Sequence, residues 1–402
     1  MAKKKNTSSD LQGLTRLLTE ATLGITDLVE AMHRRVVHPP FLPSTPIQHL
    51  ITRVAGFTYK NIRWSTRFIG GGLDKALGQL APVLGSMGNS EESEALRAVL
   101  NGVVGDYLEE KENPLQITMQ FRYRGAAVPL DRESLEKTYP ALNGKILVLV
   151  HGSCMNDRQW TRNGHDHGEA LAKELHLTPL YLYYNSGLHV STNGQQFSAL
   201  LEQLVLQWPV PVTELVLVAH SMGGLVTRSA LHDGQQQQKT WPTYLQKMVF
   251  LGTPHHGAPL ERAGNYLDVI LEAIPYAKPF ARLGEIRSAG VTDLRYGNLT
   301  DEDWQGYDRF KRSTDRRQTI PLPEQIDCYS IAAVAGKETD PASLRAPGDG
   351  LVDVKSALGQ HKDPAKELHF KAENTWIAYE RSHLDLLDDP AVYARIKAWL
   401  AG

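Results

Sequence analysis

Residues 215–226 read Leu-Val-Leu-Val-Ala-His-Ser-Met-Gly-Gly-Leu-Val, and no other stretch says more about the fold. The apolar run Leu215–Ala219 is typical of a buried parallel strand. It breaks at a turn with Ser221 at its apex, and a helical pattern follows through Leu231. Strand, sharp turn and helix with an apical serine form a nucleophile elbow, which lifts the hydroxyl above the sheet edge. The alternative is an ordinary strand–helix turn that carries an inert serine.

Further apolar or alternating stretches predict a sheet around this turn, and helical patterns lie between many of them. The predicted strands cover residues 117–123, 145–150, 179–184, 215–219, 247–251, 326–334 and 375–379. Strands that alternate with helices indicate an α/β fold with a mostly parallel sheet and helices on both faces. We therefore predict a catalytic domain over residues 115–402.

The first 110 residues predict a helical accessory region, because apolar side chains recur there every three or four positions. Residues 1–75 contain 11 Lys and Arg against 5 Asp and Glu. This basic, amphipathic region suits packing on the catalytic domain, a second subunit in a homo-oligomer, or peripheral contact with an anionic membrane. A solvated basic face without a partner is the remaining alternative.

The amino-acid composition and net charge limit the classes of protein to which this chain can belong. The 402 residues are 42% hydrophobic and 22% charged, as in a globular protein, and the formal charge of −2 gives no reason to expect nucleic acid as a partner. The basic start lacks an apolar segment, so we expect no secretory signal, and no apolar run is long enough for a membrane span. A cytoplasmic protein is expected. Cys154 and Cys328 form no disulfide framework, although one bridge between them stays open.

A serine hydroxyl needs a base, and the base needs a carboxylate that orients it. His383 follows the last predicted strand, at the sheet edge where α/β proteins place their sites. The expected chain order of nucleophile, acid and base puts the acid between Ser221 and His383. Asp349 lies in the turn Gly348-Asp349-Gly350 after the sixth strand, and Asp353 competes with it. We predict that Asp349 is the acid; the alternative is that both aspartates only build a turn.

Two backbone amides are expected to form an oxyanion hole. One belongs to Met222, which follows the nucleophile, and the other to Ser153, which follows an early strand. Cys154 beside it is interpreted as a small filler, since nothing marks a lowered thiol pKa. Residues 257–321 are too long for a simple connection and predict a helical cap, either a lid with an apolar inner face or a static cap. The predicted substrate pocket comprises His220, His255, His256, Leu267 and Ile270.

Five motifs resemble those of α/β-hydrolase lipases and esterases, in the bacterial-lipase-like and GPI inositol-deacylase-like branch. They are Val148–Gly152, Val218–Gly224, Leu251–Gly257, Gly348–Val352 and His383–Asp385. The resemblance implies an α/β-hydrolase fold and a serine hydrolase with an acyl-enzyme intermediate, with Ser221, His383 and Asp349 as its triad. Ala219 stands where the motif G-x-S-x-G begins with glycine, and the second glycine often found after His151-Gly152 is missing.

The resemblance also implies the reaction. We expect hydrolysis of small-molecule or lipid esters without a cofactor or resident metal, and loss of activity at acid pH as His383 protonates. Some bacterial lipases hold a structural calcium through an aspartate placed like Asp385, but calcium needs six or more oxygens. A thioesterase, an acyltransferase, a phospholipid deacylase and a non-catalytic binding protein remain alternatives. So does a lipid-surface protein whose N-terminal helices carry the main function.

Overall fold

The computed structural model describes residues 90–258, 261, 269–271, 287–309, 314–339 and 348–402. The predicted helices within residues 1–89 lie outside this part of the chain, as does much of the predicted cap over residues 257–321. The proposed roles of these segments therefore stay predictions. No helix among the described residues is long and apolar enough to span a bilayer.

Ten strands follow one another along the described chain. They are β1 Gln120–Tyr123, β2 Ala126–Ala127, β3 Lys145–Val150, β4 Thr161–Arg162, β5 His165–Asp166, β6 Thr178–Tyr183, β7 Glu214–His220, β8 Leu245–Leu251, β9 Asp327–Val334 and β10 Thr375–Tyr379. Eight of them form one sheet in the order β10-β9-β8-β7-β3-β6-β1-β2, and β4 pairs with β5 in a small hairpin. The sheet is parallel from β10 to β6, while β1 pairs antiparallel with β6 and β2.

The central strands are buried on both faces, which explains their unbroken apolar sequences. Every residue of 146–150 and 215–219 is at most 1% exposed. Leu217 of β7 pairs with Val148 of β3 on one side and with Met248 of β8 on the other. Because β3, β7 and β8 run in parallel, the segments that follow them meet at one edge of the sheet.

Eight helices surround the sheet in the described part of the chain. They are α1 Glu91–Glu110, α2 Arg132–Thr138, α3 His167–Leu175, α4 Val190–Gln207, α5 Met222–Gln236, α6 Ala289–Asp293, α7 Val354–Ala357 and α8 Pro390–Ala401. Helix α4 packs on α5, and α3 packs on α8. The chain passes from β3 to β6 in one direction and from β6 back across β3 to β7 in the other. Right-handed crossovers in opposite directions place α3 on one face and α4 and α5 on the other.

Helix α1 lies in the hydrophobic core, although it comes from the end of the predicted accessory region. Ser90 caps its N-terminus by accepting a hydrogen bond from the Ser93 amide. Val99 and Val103 are fully buried and belong to the same core cluster as the central strands. The last helix of the predicted accessory region therefore packs as part of the sheet domain.

A buried charge cluster ties α1 to the sheet. The Arg122 guanidinium of β1 lies 2.6 Å from Glu94 of α1 and 3.3 Å from Asp157. It also lies 3.4 Å from the centre of the Tyr183 ring. Two carboxylates and an aromatic face thus surround one cation out of water, which compensates for part of its desolvation.

Candidate active site

Ser221 occupies a strained turn between β7 and α5. Its backbone has φ 55° and ψ −128°, a conformation that residues with a side chain rarely adopt. Its N–H donates to the Leu251 carbonyl over 2.8 Å, which fixes the turn to the end of β8. A methyl group on Gly223 would lie 2.5 Å from the His151 carbonyl oxygen, so glycine lets α5 start close to β3. This is the strand–turn–helix geometry of a nucleophile elbow.

His383 lies at the same corner as Ser221. A methyl group on Gly252 would be 3.0 Å from His383 Cε1, so the imidazole rests against the backbone directly after Leu251. His383 is 2% exposed, and its Nε2 atom is buried with no hydrogen-bond partner in the described part of the chain. Catalytic hydrogen bonds are often long in unliganded enzymes and tighten when substrate binds, so Nε2 remains a candidate proton acceptor.

Asp349 holds the other side of the imidazole. Its Oδ2 atom lies 2.6 Å from His383 Nδ1, and its Oδ1 atom accepts hydrogen bonds from the amides of Leu351 and Val352 at 3.0 and 2.8 Å. The His383 amide also donates to the Asp349 carbonyl over 3.3 Å. A buried carboxylate in this position selects the imidazole tautomer that carries its proton on Nδ1.

Asp353 and Asp385, the two other aspartates considered from the sequence, each stabilise a nearby helix end or turn. Asp353 caps α7 by accepting a hydrogen bond from the Ser356 amide at 2.6 Å. Asp385 accepts from the amide and the hydroxyl of Ser382 at 2.8 and 2.7 Å, which holds the turn before His383. No group of three or more potential metal-binding side chains occurs among the described residues.

The two predicted oxyanion amides belong to neighbouring segments. Ser153 follows β3 and Met222 begins α5, and neither amide donates a hydrogen bond within the described part of the chain. A methyl group on Gly152 would lie 3.0 Å from Ser221 Cβ, so this loop passes directly beside the serine. Cys154 is fully buried, and burial raises the pKa of its thiol to about 12. Cys154 and Cys328 are both free thiols.

His220 braces His383, a role that the sequence pattern did not predict. The two rings lie 4.6 Å apart between centres, and His220 Nε2 lies 3.1 Å from the His383 carbonyl oxygen. Burial lowers the pKa of His220 well below its ordinary value, so the ring is neutral and donates from Nε2 to that carbonyl. Its position directly before the serine was the only sequence signal, and that position alone does not show what the ring touches.

The other predicted pocket residues are held in the protein interior or lie outside the described chain. His255 packs against Phe250, with its Nδ1 atom 3.4 Å from Arg228. His256 Nε2 lies 2.8 Å from the Gly359 carbonyl oxygen. Ile270 is 1% exposed, and Leu267 is among the residues not described.

A cavity of about 520 Å³ lies near the site, although Ser221, Asp349 and His383 are not among its described lining residues. Met155, which follows the Ser153 loop, and Leu384, which follows His383, form part of its wall. Arg158 and Arg162 line it as well, so the wall carries both apolar and polar groups. His220, His255, His256 and Ile270 are not among its described lining residues.

Residues 141–320 match the family model of the PGAP1-like alpha/beta domain. The chain has an α/β-hydrolase fold. The chain is similar to the mature form of Bacillus licheniformis lipase BlEst2, with 17% identity over 64% of this chain and 91% of that one (TM-score 0.41). It is also similar to Aspergillus fumigatus lipase B, with 12% identity over 65% of this chain and 53% of that one (TM-score 0.40).

A third similar structure is Pyrococcus furiosus esterase Pf2001, with 14% identity over 64% of this chain and 82% of that one (TM-score 0.36). A search of curated proteins found no match. The predicted fold class and the predicted resemblance to α/β hydrolases are confirmed by the family model, and the observed strand order agrees with them.

Proposed function

We propose that this α/β hydrolase cleaves carboxylic esters, with Ser221 as nucleophile, His383 as general base and Asp349 as the orienting acid. One observation carries the proposal: a serine in an elbow lies beside a buried imidazole whose Nδ1 atom is 2.6 Å from a buried carboxylate. An α/β fold alone does not give function, but a serine in an elbow and an imidazole oriented by a buried carboxylate at the same sheet edge support acyl transfer.

In the first half of the reaction, Ser221 Oγ attacks the ester carbonyl carbon while His383 Nε2 takes the hydroxyl proton. The C=O π electrons move onto the carbonyl oxygen and form a tetrahedral oxyanion. The Ser153 and Met222 amides donate hydrogen bonds to that oxygen. The ester C–O bond then breaks, and His383 returns the proton to the leaving alcohol. Asp349 stabilises the imidazolium throughout and does not itself take up a proton.

In the second half, water attacks the acyl-enzyme carbonyl and gives its proton to His383 Nε2. The bond from the acyl carbon to Ser221 Oγ breaks, and Oγ receives the proton from His383. The products are a carboxylic acid and free enzyme. Every group in this cycle is a described side chain or backbone amide, and the cycle needs no cofactor.

The substrate is proposed to be a small-molecule or lipid ester. The cavity beside Met155 and Leu384 supports this class, because its mixed wall suits an ester with one apolar and one polar part. Thioesters, phospholipids and acyl transfer to another alcohol use the same chemistry. Parallel assays of a p-nitrophenyl ester series, acyl-CoA and phospholipid would separate these substrate classes.

The test is Ser221→Ala. We expect kcat on a p-nitrophenyl ester to fall roughly a million-fold, as when a triad nucleophile is removed. Ser330→Ala is the matched control, because it removes a buried serine hydroxyl that donates to the Ala357 carbonyl away from the site. A fluorophosphonate probe should label wild type and the control but not the Ser221 variant. Unchanged turnover in Ser221→Ala, or no labelling of wild type, would reject the proposal.

A further inference from the structure

Helix α1 contacts the loop that carries one predicted oxyanion amide. A methyl group on Gly102 would lie 2.3 Å from Cys154 Sγ and 2.8 Å from Cys154 Cα. Cys154 follows Ser153 directly and has a left-handed backbone, with φ 59°. The backbone of α1 therefore contacts Cys154, which has a left-handed backbone and directly follows the residue that bears the Ser153 amide.

Helix α6 contacts the residue that carries the other amide. A methyl group on Gly290 would lie 2.8 Å from Met222 Cε and 2.2 Å from the Ser186 carbonyl oxygen. Ser186 also meets the first loop, since its hydroxyl accepts a hydrogen bond from the Cys154 amide over 3.0 Å. Ser186 thus connects the loop after Ser153 with α6.

The two helices are bound to each other. The Ser288 hydroxyl at the start of α6 donates to the Gly102 carbonyl over 2.6 Å. The Ala289 amide donates to Asp106 of α1 over 3.1 Å. Ser288 and Gly102 are both buried, so the hydrogen bond between them forms away from water, where a lost partner costs most.

We propose that α1 and α6 act together as a clamp that sets the position of the Ser153 amide, with Gly102 and Gly290 as positioning residues that act on Cys154 directly and through Ser186. The inference rests on the proposed function, because it concerns donors to the tetrahedral oxyanion. Such donors are effective only within a few tenths of an ångström of their correct place. An added methyl group at Gly102 must displace the Cys154 backbone, and one at Gly290 must displace the Ser186 carbonyl, whose residue holds the Cys154 amide through its hydroxyl.

The experiment compares Gly102→Ala and Gly290→Ala with Gly234→Ala. Gly234 lies in α5, and a methyl group there would be 2.8 Å from Trp241 Nε1, so the substitution crowds the core away from both amides. We expect the two clamp variants to lose about 10- to 100-fold in kcat with little change in KM, since losing one whole donor costs about 100- to 1,000-fold. Affinity for a trifluoromethyl ketone, which forms the tetrahedral oxyanion, should fall by a similar factor. Gly234→Ala should lower the thermal midpoint and leave kcat and inhibitor affinity near those of wild type.

A second substitution tests the contact itself. Cys154→Gly in the Gly102→Ala background removes the crowded Sγ atom, and glycine accepts the left-handed backbone. We expect this pair to recover part of the lost kcat, because the added methyl group still lies 2.8 Å from the Cα atom of residue 154. Ser288→Ala removes the hydrogen bond to Gly102 without adding atoms. If the glycine variants do not fold, kcat and inhibitor affinity are measured on this variant instead.

Failure of the proposed function can be distinguished from failure of the clamp alone. Wild-type protein without turnover or probe labelling would defeat the proposed function, and the clamp with it. Active wild type whose folded Gly102 and Gly290 variants match Gly234→Ala in kcat and in ketone affinity would defeat the clamp alone. The clamp would also be rejected if Ser288→Ala kept the kcat and inhibitor affinity of wild type.

Discussion

Asp349 and Asp353 are four positions apart in one turn, yet they serve different neighbours. We expect Asp349→Asn to lower kcat about 10,000-fold, because an amide favours the wrong imidazole tautomer and cannot stabilise the imidazolium. Asp353→Asn is the control, since asparagine caps a helix as well as aspartate does. Steady-state kinetics on a p-nitrophenyl ester would check both variants. Near-normal kcat in Asp349→Asn, or an equal loss in both variants, would contradict the assignment.

A second prediction at the residue scale concerns the hydrogen bond from His220 to the His383 carbonyl. We expect His220→Phe to keep the ring contact with His383 but to lose the hydrogen bond to its carbonyl. A hydrogen bond worth about 1 kcal/mol corresponds to roughly a five-fold fall in kcat. His220→Gln retains an N–H donor and should recover most of that fall, whereas KM should stay constant in both. Equal kcat values for the Phe and Gln variants would show that the hydrogen bond does not matter.

At the element scale, the Arg122 cluster predicts how firmly α1 is attached to the sheet. Arg122→Met leaves Glu94 and Asp157 buried without their cation, and breaking a buried pair in this way costs about 3–5 kcal/mol. Arg124→Met is the matched control on the neighbouring turn. The Arg124 side chain is 72% exposed and pairs with Glu169, so its loss should cost less than about 1 kcal/mol. Denaturant unfolding of both variants would check the difference, and equal midpoints would contradict it.

At the scale of the whole molecule, buried histidines predict a stability that depends on pH. Burial lowers the pKa of His151, His167 and His256 to about 4, and the pKa values of His220 and His255 lie well below the ordinary value. Between about pH 6.5 and 4 the unfolded chain therefore binds more protons at these sites than the folded chain. The free energy of unfolding should fall as pH decreases through this window, by at most about 1.4 kcal/mol per pH unit for each histidine.

Two buried acids oppose this trend. Burial raises the pKa of Glu261 to about 7 and also raises the pKa of Asp157, so their protonation favours the folded state as pH falls. Five histidines outweigh these two carboxyl groups. Urea unfolding at pH 7 and pH 5 would measure the net slope, and His255→Phe should make it shallower while keeping a packed ring. Equal or greater stability at pH 5 would contradict the prediction.

Much of this arrangement could be predicted before any coordinates. The strands over residues 145–150, 215–219 and 375–379 were each predicted within one residue of their observed bounds. For the first two, burial on both faces demands unbroken apolar runs. The elbow at Ser221 was recognisable because its strand, turn and helix are contiguous in sequence. Asp349 was predicted between Ser221 and His383 from the chain order expected of nucleophile, acid and base, and His383 from its place after a strand end at the edge where the parallel strands meet.

What the linear pattern could not supply was the partner of each group across long separations. Gly102 meets Cys154, and His220 meets His383, through contacts that join residues 52 and 163 positions apart in the chain. Hydrophobic period and motif spacing report only which face of an element is buried and where a turn lies. Which segments fill the remaining space depends on close packing of the whole core, and that packing made α1 a neighbour of the predicted oxyanion loop.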